Sequence, residues 1–144
     1  MTTDLATLAD VINQAWNSHS IENVLHYYSP EYVGSDVGQP APLQGHKALR
    51  TMLERYWQAF PDLHFVVTDK VIQDSRATIV WAAEGTHQGP IMNIPPTWHK
   101  VRVSGVSVID VQDGFVVRGQ HIWDLAGMLR YLGLLPDLQP TDEV

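Results

Sequence analysis

The run Glu84-Gly85-Thr86-His87-Gln88-Gly89-Pro90-Ile91-Met92-Asn93-Ile94-Pro95-Pro96-Thr97 decides how this 144-residue chain is read. A strand-like stretch of β-branched and small residues, Ala77 to Glu84, leads into it, and a second, Val101 to Val111, follows. The Gly, Pro and Thr between them break strands and set turns. The pattern predicts a wide connection between two long antiparallel strands at the rim of a curved sheet. His87 lies in that connection, where an imidazole facing a cavity can titrate near neutral pH. It is a candidate for chemistry, set against the commoner structural histidine.

Outward from this run, the hydrophobic period changes. Towards the N-terminus, Leu5, Leu8, Ile12, Ala15 and Trp16 recur at helical spacing over Asp4 to Asn17, with Thr3 as the expected N-cap. A short second helix is expected over Ile21 to Tyr28, ended by Ser29-Pro30. A short strand follows over Glu31 to Asp36, and then a Gly/Pro-rich loop. Leu49, Met52, Leu53, Tyr56, Trp57 and Phe60 form one stripe of a third helix, His46 to Phe60, which Pro61 stops. Leu63 to Ile72 alternates as a strand, and Asp113-Gly114 is a hairpin signal leading into Phe115 to Trp123. Asp124 is placed to cap a last helix, Leu125 to Leu132, with Gly133 as its stop. Helices first and long antiparallel strands afterwards make an α+β layout, a strongly bent sheet with helices on its concave side. Such a cone encloses a cavity, and a closed one of roughly a few hundred Å³ with His121 pointing in would favour an enzyme over a binding module.

The bulk composition limits function. The length suits one domain, residues 1–144, with a loose polar tail from about residue 137. A formal charge of −7 with no Lys/Arg cluster argues against nucleic acid and anionic membranes. Zero cysteines remove disulfides, thiol nucleophiles and cysteine metal sites, and suit a reducing cytoplasm, the expected location. No stretch reaches the roughly 20 apolar residues of a membrane span, and Met1-Thr2-Thr3-Asp4 lacks a signal-peptide start. No third ligand accompanies His87 and His121 at metal-binding spacing, so neither a metal nor another cofactor is expected.

Strand alternation assigns faces. Phe115, Val117, Gly119, His121 and Trp123 share the bulkier face of the last strand and are expected inside, with His121 their only ionisable member. Pairing across Asp113-Gly114 brings Val103, Gly105 and Ser107 to the same interior, and Ile79, Trp81, Ala83, Gly85 and His87 form the inner set of the preceding strand. Val106, Val108, Val116 and Ile122 fall outside. Such a half-apolar outer face suits a homodimer paired sheet to sheet; scattered surface valines are the alternative.

The order of elements resembles the NTF2-like cone fold, and the motifs resemble its SnoaL-like polyketide cyclase branch. The similarity runs through Ala59-Phe60-Pro61-Asp62-Leu63, Gly85-Thr86-His87-Gln88-Gly89, Ile94-Pro95-Pro96-Thr97 with Val101, and Trp123-Asp124-Leu125-Ala126-Gly127-Met128-Leu129-Arg130-Tyr131-Leu132-Gly133. It implies a cofactor-free cyclase that closes polyketide esters by an intramolecular aldol reaction. It also implies an acid/base carboxylate three residues before the aspartate that opens the final helix, and a histidine partner on the neighbouring strand. Here those places hold His121 and Ser107, and Asn93 and Trp98 replace family glycines in the rim turn.

His121 is therefore the first candidate for acid/base catalysis, oriented by Ser107, since an imidazole pKa near 6.5 suits proton transfer at neutral pH. His87 is its possible second. Asp124 is a further candidate, although capping explains it well. Trp16, Tyr32, Asp36, Met52, Tyr56, Trp81 and Trp123 are the expected lining for a hydrophobic small-molecule substrate; plain core is the alternative for several. Two other enzyme readings borrow from relatives of the same fold: a dehydratase or isomerase using His87, His121 and Tyr32, and an epoxide-opening Asp-Arg-Asp set that would need Arg118 inside. The reading from a different class is a non-catalytic module whose cone holds an apolar ligand.

Overall fold

The protein is described by a computed structural model covering residues 4–138; Thr3 and the tail from Gln139 onward lie outside the described residues. Helix α1 (Leu5–Asn17) is capped by Asp4, whose carboxylate accepts the Thr7 N–H at 2.9 Å, and it buries Leu8, Ala9, Ile12 and Ala15. The cap is thus one residue later than the sequence suggested. Helix α2 (Ile21–Leu25) ends early because Tyr28 already begins strand β1 (Tyr28–Asp36). Pairing decides that boundary: Tyr28 meets Val116, and the register slips between Tyr28 and Val33, so Pro30, without an N–H, interrupts no regular ladder. A two-residue strand β2 (Leu43–Gln44) precedes helix α3 (Gly45–Ala59), which presents Leu49, Met52 and Leu53 to the core.

Four long strands follow: β3 (His64–Gln73), β4 (Arg76–Thr86), β5 (Lys100–Gln112) and β6 (Phe115–Trp123). Helix α4 (Leu125–Tyr131) closes the described chain, with Asp124 accepting the Gly127 N–H at 2.8 Å as its N-cap. The six strands form one curved, unclosed sheet in the order β2-β1-β6-β5-β4-β3. All neighbours run antiparallel except β1 and β6, which are parallel and bring Asp36 opposite His121. The main core lies between α1, α3 and the sheet, and a second cluster of Ala59, Phe60, Ile91, Val101, Met128 and Leu132 seals the end of the cone.

Two expectations about faces need correction. A bulge between Asp110 and Val111 shifts the β5–β6 register at the hairpin end, so parity inverts there. Val116 is fully buried rather than outward, and Phe115 is exposed rather than inward. Beyond the bulge the expected inner faces meet, with Ser107 opposite His121 and Gly105 opposite Trp123.

The rim turn that organised the sequence reading is built by reciprocal bonds between Ile91 and Ile94 (3.1 and 2.7 Å) around Met92 and Asn93, both at positive φ. Trp98 also has φ +61° and is 67% exposed. The left-handed backbone at Asn93 and Trp98 explains why glycine suits these places, since L-residues are disfavoured there and asparagine is the best tolerated exception. Trp98 projects outward and does not plug the cavity.

Candidate active site

The concave face of the sheet and the helices above it line a cavity of about 120 Å³. Its walls are mostly apolar: Ile12, Trp16, Phe65, Ile79, Ile91 and Val103 are among them. Polar chemistry concentrates on Asp36, Ser107, His121, Tyr28 and Tyr56, with Glu84 on the β4 side. Trp16, Asp36, Tyr56, Trp81, Ser107, His121 and Trp123 thus line the cavity, as the alternation and helical stripes suggested.

His121 is buried on β6, and its Nδ1 lies 2.7 Å from Ser107 Oγ on β5. The Trp81 indole N–H donates to the same oxygen at 3.0 Å. Tryptophan can only donate, so the Ser107 hydroxyl proton has one hydrogen-bonded acceptor among the described residues, His121 Nδ1. That chain of donors, Trp81 to Ser107 to His121, places the proton of the neutral imidazole on Nε2. Gly105 makes the arrangement possible, because a Cβ there would run into the Trp81 ring. Nε2 itself is buried and has no protein partner among the described residues. Burial pushes the His121 imidazole below its ordinary range, and the Asp36 carboxylate pulls it partly back.

Asp36 ends β1 and turns the chain. Its Oδ1 accepts three donors: the Gly38 N–H at 2.8 Å, the Tyr56 hydroxyl at 2.7 Å and the Trp123 indole N–H at 3.0 Å. The bond to Gly38, two residues on, is an Asx turn, a signal present in the sequence as Asp36-Val37-Gly38. Oδ2 has no hydrogen-bond partner among the described residues. Burial and the Asp36 charge raise the Tyr56 phenol above its usual range, so it stays a donor. Tyr28, which receives the Trp16 indole N–H at 3.2 Å, is pushed up to about 12 by burial.

Four expected site residues stand away from the cavity lining. Tyr32 and Met52 are fully buried in the main core, with the Tyr32 phenol against Gly34 and Gly119 of β1 and β6. Asp124 is occupied as the α4 cap. His87 is fully buried behind Phe60, with ring centroids 5.6 Å apart, and locks the rim. The Thr97 N–H donates to His87 Nδ1 at 3.2 Å, and the backbones of His87, Trp98 and His99 bond each other. Burial holds this imidazole below its ordinary value. His87, His121 and Tyr32 therefore do not assemble a shared site, and Arg118 is exposed on the outer face. Among the described residues no group of three or more His, Asp or Glu gathers at metal-binding distance. None of their helices is long and apolar enough to cross a membrane. Sequence reasoning missed the second wall, formed by Phe60, Ile91, Val101 and Met128, because those residues come from loops and elements whose closeness is tertiary.

A bent, unclosed sheet covered by helices over an apolar pocket with a few polar groups defines an NTF2-like, ketosteroid isomerase-like fold. The chain belongs to the SnoaL-like polyketide cyclase family, whose model matches residues 6–132. Among solved structures, AclR from Streptomyces galilaeus, described as a candidate hydroxylase, superposes with a TM-score of 0.82 at 26% identity, covering 93% of this chain and 87% of that one. IdmH from Streptomyces antibioticus, described as a candidate polyketide cyclase, gives 0.78 at 24% identity over 89% and 97%. A ketosteroid isomerase-like protein from Catenulispora acidiphila gives 0.78 at 16% over 96% and 100%. These last two support the fold. No curated protein sequence matches the chain.

Proposed function

We propose that this protein is a cofactor-free acid/base enzyme acting on a hydrophobic, carbonyl-bearing small molecule, with ring closure of a polyketide-like ester by intramolecular aldol reaction as the nearest named activity. The observation that carries the reading is His121, an imidazole of fixed tautomer at the polar floor of an otherwise apolar cavity. Such a reaction needs an acidic C–H next to carbonyls, a dry site for the enolate and a donor for the new alkoxide. Family membership supports this chemistry, and the candidate cyclase among the structural relatives points the same way. The exposed Ile122 and half-buried Val106 and Val108 favour a homodimer paired through the outer sheet face.

The test is turnover of a panel of aromatic β-keto esters, with native mass spectrometry of the purified protein to identify any retained ligand. Turnover that falls at least ~100-fold in both His121→Ala and His121→Gln supports the reading. Equal turnover in wild type and both variants would show that His121 is not part of the chemistry. A tightly retained ligand released unchanged, with no panel member converted, would favour the binding module.

A further inference from the structure

We infer that Asp36 is the base that takes the carbon-bound proton, with His121 remaining neutral as hydrogen-bond donor to the oxygen that becomes negative. The inference rests on the acid/base reading above and assigns its central step to a residue of β1 rather than of β6.

Three observations carry it. First, His121 is poorly set up to accept a proton at Nε2. That would require Nδ1–H to donate to Ser107 Oγ, which already receives the Trp81 N–H, and would leave the Ser107 hydroxyl proton without an acceptor. A buried unpaired donor costs about 1–3 kcal/mol. Second, the imidazolium so formed would sit in a cavity that disfavours charge, whereas a carboxylate that gains a proton there becomes neutral. Third, Asp36 is held as a base should be: three donors fix Oδ1, and Oδ2 is left without a partner in a residue that lines the cavity. The parallel β1–β6 register sets Asp36 beside His121, so a carboxylate is present next to the imidazole although β6 carries none at that position.

The step balances without any further reagent. The C–H bond between two carbonyls breaks, the proton goes to Asp36 Oδ2, and the electron pair becomes the enolate, whose oxygen accepts from His121 Nε2–H. The enolate carbon then attacks a further carbonyl elsewhere in the same molecule, a C–C bond forms as that C=O π bond breaks, and the new alkoxide takes the proton back from Asp36. Tyr56 and Trp123 are positioning residues for the carboxylate.

Asp36→Asn is the informative variant, because its amide oxygen can keep all three Oδ1 donors while removing the base. The probe is ethyl benzoylacetate in D2O, with deuterium entry at the central carbon followed by proton NMR. Solvent exchange in buffer alone is subtracted. Expected is enzyme-catalysed exchange lost by ~100-fold or more in Asp36→Asn. His121→Gln should slow exchange but keep the acid limb of the pH profile. The other groups facing the cavity are Tyr28 on β1, Tyr56 on α3 and Glu84 on β4; α1 and β5 offer the uncharged Trp16 and Ser107. In parallel, the His121 ring titration in Asp36→Asn should move to lower pH, because the carboxylate that raises it is gone. Wild-type exchange that survives Asp36→Asn, loss of the acid limb in His121→Gln, or an unmoved His121 titration would each overturn the assignment to Asp36. No exchange by the wild type with this probe or the wider ester panel would overturn the acid/base reading itself, and this assignment with it.

Discussion

Gly119→Ala should destabilise the protein, and Tyr32→Phe should cancel the effect. Tyr32 lies flat on the inner face of the sheet, and its phenol occupies the slot that Gly34 and Gly119 leave on the paired strands β1 and β6. A Cβ at Gly119 would stand 2.5 Å from the Tyr32 hydroxyl oxygen but 3.3 Å from the nearest ring carbons. The oxygen is therefore the obstacle, and it cannot swing away because Tyr32 is fully buried. Overpacking of this kind costs about 1–3 kcal/mol, from which the gain of replacing glycine in a strand, about 0.5–1 kcal/mol, is subtracted. The expected net loss is ~1–2 kcal/mol, or a Tm lower by roughly 2–8 °C for a chain of this size. Tyr32→Phe alone should be neutral or stabilising by about 1 kcal/mol, because the hydroxyl is buried with no protein partner among the described residues. In the Phe background Gly119→Ala should cost under about 0.5 kcal/mol, which gives a coupling of ~1–2 kcal/mol in a double-mutant cycle. Urea denaturation of the four proteins, with m-values compared, measures it. Equal penalties for Gly119→Ala in the two backgrounds would refute the wedge. A loss above about 1 kcal/mol for Tyr32→Phe would show instead that the hydroxyl has a partner.

Two further outcomes follow from burial and surface. His121 and His87 both have imidazoles held below the ordinary 6.5 by burial, so the unfolded chain binds more protons than the fold just below that value. Their contribution to stability is present above pH 6.5 and is lost as pH falls towards the folded values, with a slope of at most about 1.4 kcal/mol per pH unit for each group. Urea midpoints should therefore fall between pH 7.5 and pH 5.5, less steeply in His87→Gln, and a flat profile would contradict the burial. Asp4 and Asp62, whose carboxyls lie below the ordinary 3.8, act only in the more acidic window. On the outer face, light scattering should give twice the 16.2 kDa chain mass, and Ile122→Arg should halve it. A monomeric wild type would leave the outer valines as scattered surface residues.

The cone was legible because periodicity and punctuation agree along most of the chain. Strands β4 and β5 alternate along most of their length, and Asp113-Gly114 marks the hairpin between β5 and β6. That hairpin alone would set Ser107 opposite Gln120; the bulge shifts the pairing by one residue and brings Ser107 opposite His121. What the sequence did not show depended on contacts outside the local pattern. The bulge at Asp110 and Val111 inverts Phe115 and Val116, and no composition signal marks it. Tyr32 and Met52 carry the same residue types as a pocket lining, yet both are buried in the main core. His87 and Asp124 occupy motif positions, but their hydrogen bonds build a rim turn and a helix cap.

The parallel pairing of β1 with β6 is the step that changes the chemistry. Read along β6 alone, the chain carries an imidazole, His121, where the family resemblance implies a carboxylate. Across the sheet the two groups coexist, since β1 ends at Asp36 where β6 reaches His121. The substitution at Ser107 then fits the same logic. A histidine there could add a second charge beside His121, whereas a serine that receives Trp81 and donates to Nδ1 fixes a neutral tautomer. A neutral donor beside a carboxylate base divides the two tasks of enolisation between two residues, so neither has to carry a positive charge in an apolar cavity. The aromatic collar supports the division: Trp81 orients the donor through Ser107, while Tyr56 and Trp123 orient the base. Loss of either indole N–H should therefore loosen one half of the pair and leave the other half in place.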